Sequence, residues 1–313
     1  MTKAQESPLN DGTPTLADQV IASDTDAGEA QVSGSALRMI LRTFLENKLA
    51  IIGLTLVVAM AIFCFIGPLL YHTNQVNTSY NINLPPGPGH PLGTDENGRD
   101  VLGRLMVGGQ SSLEIGLAVA IIATVFGVLW GAISGFFGGV VDTIMMRIVD
   151  TFLSIPSLFL LIFLAAVFKP NLPLLIIILS FISWLSPSRL VRGESLSLRT
   201  REYVKAVRIM GGGARRIILR HIIPNTVGTI VVNATFQIAD AIAILATLSY
   251  LGLGLPPPAA SWGEMLSNGV NYIYDGYWWL IFPAGLAIVV TVIAFNFIGD
   301  ALRDSLEVRL QKR

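Results

Sequence analysis

LAIIGLTLVVAMAIFCFIGPLL, residues 49–70, carries no charged side chain over 22 consecutive positions. As an α-helix rising about 1.5 Å per residue it crosses a hydrocarbon core of roughly 30 Å. The rest of the chain agrees with that reading. Apolar residues make up 52% and charged residues 13%, where soluble chains average about 25% charged. Five further apolar runs, at 113–137, 144–168, 172–185, 227–251 and 279–298, predict an all-α, polytopic membrane protein of six spans. The fourth run is short and lies between Pro173 and Pro187.

Basic residues set the orientation. With both ends of the chain inside, 18 of the 21 Lys and Arg residues fall on the inner side and 3 on the outer. Nine of them lie in the single stretch from Arg189 to Arg220. The expectation is therefore an inner-membrane protein with cytoplasmic termini. Its regions are a polar tail at 1–36, expected to be disordered, a first span with an outer segment at 37–112, and a core at 113–313 with an inner loop at 188–224. The outer junction before the last span holds Trp262, Tyr272, Tyr274, Tyr277, Trp278 and Trp279, read as an interfacial aromatic belt.

Composition and spacing also exclude chemistry. A formal net charge of zero gives no global field for nucleic acid. Cys64 is the lone cysteine, and His72, His90 and His221 are scattered, so neither a disulfide framework nor a metal site is expected. Residues 93–100, GTDENGRD, have the glycines of a phosphate loop but Arg99 and Asp100 where that loop needs Lys and Ser or Thr. They read as a turn. No catalytic constellation is present, and no cofactor is expected on this chain.

Two patterns inside the spans point elsewhere. Gly127, Gly131, Gly135 and Gly139 recur every fourth residue, a small-residue face for close helix packing, within the chain or against a partner. Polar residues in a span are costly and commonly face a cavity. Thr229, Asn233, Gln237 and Asp240 form one such stripe, and Arg147, Asp150, Ser154 and Ser157 another. They read either as the lining of an aqueous path or, most simply for the serines, as helix-to-helix hydrogen bonds.

The inner loop contains EYVKAVRIMGGGARRIILRHIIPN, residues 202–225. A short helix is expected at 202–210 with Tyr203, Val207 and Met210 on one side, stopped by Gly211–Gly213, and a second at 214–221 before Pro224 opens the next span. Such an amphipathic helix docks in a partner's groove or lies on anionic lipid; composition leaves both open.

This stretch resembles the cytoplasmic "EAA" loop of binding-protein-dependent ABC importer permeases, with Gly211 and Pro224 at the family's separation. Lys205 stands where the motif's acid is usual and Val207 where its second alanine is. PLGTDENGRDVLGRL at 91–105 and LSYLGLGLPPPAASWGEML at 248–266 are similar to outer segments of the dipeptide and oligopeptide branch, C-type subunit. The resemblance covers the chain from about Leu37 onward. It implies a permease half that pairs with a homologous permease, with two ATPase subunits carrying ATP and magnesium, and with an extracytoplasmic substrate-binding protein. It further implies that Glu202, Tyr203, Lys205, Ala206, Val207, Met210, Gly211 and Pro224 couple this chain to an ATPase. Asn233, Gln237, Asp240, Asp150 and Ser154 are then the candidates for the translocation path. Within the family the cargo could be peptide, nickel, glutathione or an opine. Outside it, a transporter driven by protons through Asp150 and Asp240, or a membrane scaffold, are the alternatives; no inverted internal repeat supports the first.

Overall fold

The computed structural model describes residues 42–168 and 171–311. The polar tail and the Lys169 turn lie outside the described residues. What is described is helical, with only two isolated β-bridges in the outer segment, Gly87 to His90 and Thr94 to Asp100.

The first span is α1 (Lys48–Phe65), extended past a bend at Ile66 by α2 (Gly67–Leu70). Asn47 caps α1, its side-chain oxygen accepting from Leu49 N at 2.9 Å. Only Ala50, Gly53 and Cys64 of α1 are buried, so most of its surface is left for lipid.

Helix α3 (Val101–Phe137) is the centre of the bundle, packed on by α1, α6, α7 and α10. It begins at Val101, not at 113, so the expected boundary after residue 112 falls inside a helix. The cause is the cap and the packing. Asp100 Oδ1 accepts from Gly103 N at 2.8 Å, and Arg104, 3% exposed, is held by protein instead of lipid.

The expected third span at 144–168 is two helices, α4 (Gly139–Leu153) and α5 (Ser157–Phe168), bent by 78° at their junction. Pro156 supplies the break: it has no N–H and restrains Ile155 before it. The fourth, α6 (Leu172–Ser183), does not stop at 185. It bends by 41° and continues as α7 (Leu185–Leu198), so the first part of the expected inner loop is helix.

Beyond α7 the chain makes α8 (Glu202–Ile209) and α9 (Ala214–Ile217), then a π-turn (Ile218–Ile222) leading straight into α10 (Ile223–Tyr250). Ile223 N–H reaches back to Ile218 O, and this wider turn makes room for the Pro224 ring. The fifth span is thus one helical path from Ala214 to Tyr250. After α11 (Trp262–Val270), the last helix, α12 (Phe282–Gln311), packs on α10 and α1. Four of these paths are long and apolar enough to cross a membrane, and six if each bent pair counts as one.

The aromatic belt divides. Tyr274 is fully exposed and Trp278 half-exposed, but Trp262 is buried, its indole N–H donating to Leu105 O at 2.9 Å, and Trp279 is buried with it. These two belong to the core under the outer segment.

Candidate functional site

Helix α8 lies across the inner end of the bundle. Val204 is fully buried against Phe136, Val191, Ile217, Ile218 and Ile222, with Val207 at the edge of the same cluster. The Arg208 guanidinium sits 5.2 Å above the Phe136 ring. Ile209 is 86% exposed and Met210 77%, and Tyr203, Glu202, Lys205 and Ala206 are exposed as well. The expected face of Tyr203, Val207 and Met210 is therefore split. An eight-residue helix with few apolar positions offers two stripes, and the apolar floor of Phe136 and Ile217 selects the one centred on Val204. Ile209, an apolar side chain directed outward, carried no sequence signal of its exposure.

Gly211 ends α8 at φ +82°, with Gly212 N–H donating to Val207 O at 2.9 Å and Gly211 N–H to Arg208 O at 3.1 Å. This pair of bonds is the Schellman stop, and the left-handed residue it requires is Gly211. Pro224 is exposed in the first turn of α10.

The polar stripe of α10 is not one surface. Each step of four residues advances about 40° beyond a full turn, so Gln237 lies about 80° round the helix from Thr229, whereas Asp240, three residues further, comes back to about 20° from it. Gln237 is buried: its Nε2 donates to Ser183 O at 2.5 Å and its Oε1 accepts from Thr124 Oγ1 at 3.0 Å. The Ser183 carbonyl is free because Pro187, four residues on, has no N–H to offer it. Gln237 thus satisfies the bend between α6 and α7 and lines no path within this chain. Asn233 is half-buried with its Oδ1 unpaired, and Asp240 is exposed on the surface of α10 without a partner among the described residues. Thr229 donates to Glu194 of α7.

On α4, Asp150 pairs with Arg189 of α7, and the exposed Ser154 donates to Thr151 O at 2.7 Å. Arg147 and Ser157, the other members of the second stripe, are exposed. Gly127 faces Trp184 O and Pro187, Gly131 faces Ser188 O and Arg192 N, and Gly135 faces Arg192 O and Ser195, so α3 and α7 meet backbone to backbone. Gly139 is apart from this face: it is exposed at φ +55°, one of two left-handed residues at the corner between α3 and α4.

The outer segment holds a polar cluster for which the sequence offered no pairing. Arg104 donates to both carboxylate oxygens of Glu264, at 2.8 and 2.9 Å, and lies 3.7 Å from Asp95. Burial pushes the Glu96 carboxyl above the usual carboxylate range, and Asp95 and Glu264 beside it push the same way. Tyr71 donates to Asp100, which also takes His90; burial and that carboxylate raise the Tyr71 phenol to about 12. In the turn at 93–100, Asp95 Oδ1 accepts from Asn97 N and Arg99 N, with Gly93 and Gly98 left-handed.

Residues 127–312 match the family model for the binding-protein-dependent transport system inner membrane component, and residues 35–86 match the N-terminal TM domain of oligopeptide transport permease C. The chain is 42% identical over 270 residues to the oligopeptide transport system permease protein OppC of Bacillus subtilis, covering 86% of this chain and 88% of that protein. It is 38% identical over 311 residues to OppC of Haemophilus influenzae, covering 98% and 99%. To the dipeptide transport system permease protein DppC of Bacillus subtilis it is 39% identical over 272 residues, covering 87% and 85%.

Proposed function

This chain belongs to the binding-protein-dependent transport system inner membrane components, and we propose that it is the permease half of an ATP-driven importer of di- or oligopeptides. It is a multi-pass membrane protein, and the distribution of its basic residues supports cytoplasmic termini. Its partners in this reading are a second permease, two ATPase subunits that carry ATP and magnesium, and an extracytoplasmic binding protein. The chain itself performs no hydrolysis.

One observation supports the coupling role above others: α8 is anchored inward by Val204 and presents Ile209 and Met210 outward. A helix so held is a rigid plug for a groove in an ATPase. Its displacement passes into the membrane because α9, the π-turn and α10 are continuous. ATP-driven closure of the ATPase pair then favours one packing of the permease halves over the other, which is alternating access without chemistry on this chain.

Two tests follow. Gly211→Val places a β-branched residue in the left-handed region, at about 1–2 kcal/mol. Uptake by the assembled complex is expected to fall about tenfold while the chain remains in the membrane; normal uptake would count heavily against the mechanism. The α10 stripe gives a contrast. Gln237→Leu leaves the Ser183 carbonyl unpaired, at about 1–3 kcal/mol, and is expected to lower both the melting temperature and uptake. Asp240→Ala removes no internal contact, so it is expected to lower uptake with the melting temperature unchanged. Unaltered uptake in Asp240→Ala removes that residue from the path.

A further inference from the structure

Helix α4 is jointed at both ends. It begins at Gly138 and Gly139, both left-handed, and it ends at the 78° break before α5. Its apolar anchorage is thin: Met146 and Val149 are buried, whereas Val140 is 75% and Ile144 58% exposed. Met146 and Val149 pack with Trp184 and Leu185, Trp130 Nε1 donates to Met145 O at 3.3 Å, and the polar ties to α7 are ionic. Arg192 Nε and Nη2 donate to the two carboxylate oxygens of Asp142 at 2.6 and 2.7 Å, and Asp142 also accepts from Ser134 Oγ of α3. One turn earlier on α7, Arg189 pairs with Asp150. The carboxylates are eight residues apart along α4 and the guanidinium groups three apart along α7, so two ion pairs bridge the same two helices.

Helix α7 is also the arm that carries α8, with only Arg199, Thr200 and Arg201 between them. Its other faces are fixed, to α3 through the glycine seam and to α10 through Glu194 and Thr229. We propose that Asp142 and Arg192 form a coupling clamp: positioning residues that make the doubly jointed α4 follow the arm bearing α8, and so carry its movement to the break at Pro156 and into α5. A bidentate Arg–carboxylate pair suits this role, because it fixes orientation as well as distance. The clamp rests on the proposed coupling role of α8 and names the route by which that role reaches the third span.

The test uses the whole complex, reconstituted in lipid vesicles, with ATP hydrolysis and peptide uptake measured on the same preparation. Asp142→Asn is expected to lower peptide imported per ATP hydrolysed about tenfold, within the range usual for coupling between sites, with hydrolysis itself retained. The exchange Asp142→Arg with Arg192→Asp is expected to restore part of it. Arg192→Lys keeps the charge and loses the fork; it is expected to assemble in normal amount and to import at an intermediate ratio. Should Asp142→Asn fail to assemble, the Arg192→Lys ratio decides. Wild-type import per ATP in Asp142→Asn or Arg192→Lys overturns the clamp, as does a fall of uptake and hydrolysis in equal proportion. If the unaltered complex imports nothing under ATP, it is the importer reading that fails.

Discussion

Substituting Ile209 by Glu is expected to abolish ATP-driven uptake while the chain stays in the membrane at its normal level. The fold loses nothing, since the Ile209 side chain is 86% exposed and touches none of the clusters that hold α8. The docked state loses much. Full burial of an isoleucine contributes about 1.5–3 kcal/mol, and an unpaired carboxylate carried into the same apolar contact adds a penalty of several kcal/mol. A combined change of about 4 kcal/mol or more is roughly a thousandfold in the docking equilibrium. The measurement is the amount of ATPase co-purifying with the tagged variant, alongside uptake. Normal amounts of both would mean that this face of α8 is not the docking face.

Gly131→Leu is the second large effect, and it strikes the fold. A side chain at Gly131 would meet Ser188 O and Arg192 N, backbone atoms of α7 that cannot turn aside. The helices must separate, which costs about 1–3 kcal/mol for overpacking and more where backbone has to move. It also draws apart the Gln237 bridge to Ser183 and the Arg192 contact with Asp142. The chain is expected to melt well below the wild type and to be depleted from the membrane. Gly193→Ala is the control: nothing lies within 4 Å of the added carbon and φ is ordinary. Its melting temperature should be unchanged or slightly higher, as alanine favours helix by about 1 kcal/mol over glycine. Equal stability of the two variants would contradict the seam.

The contrast between these variants reflects what a linear sequence carries. The first span was legible because it is apolar all round and faces mostly lipid, so hydropathy measured its real environment. The start of α3 was not, because Arg104 and Glu264, which allow the helix to begin early, are 160 residues apart. Helix α7 was hidden for a related reason: its arginines read as a loop until Asp142 and Asp150 are brought to them. Pro187 was legible as a boundary and Pro156, within the run at 144–168, was not; whether a proline merely bends a span or divides it depends on what satisfies the freed carbonyl, and for Pro187 that is Gln237. The glycine seam was readable as a surface, but its partner was not. The α10 stripe divides because Gln237 and Asp240, three residues apart, differ by about 60° round the helix, enough to leave Gln237 buried and Asp240 exposed. The inner loop was legible from its glycine stop and its proline, both demanded by backbone geometry. The direction of its apolar side chains was set by the floor beneath it.

In the proposed mechanism partner ATPases drive this permease through α8. The most direct test is to tag the chain at its C-terminus, extract it gently from native membranes, place what elutes in vesicles and follow a labelled peptide. A second permease and two ATPase chains are expected to elute with it, and peptide to accumulate only when ATP and the binding protein are both supplied. Elution of the chain alone, under conditions that keep other membrane complexes intact, or accumulation driven by a proton gradient without ATP, would contradict this mechanism.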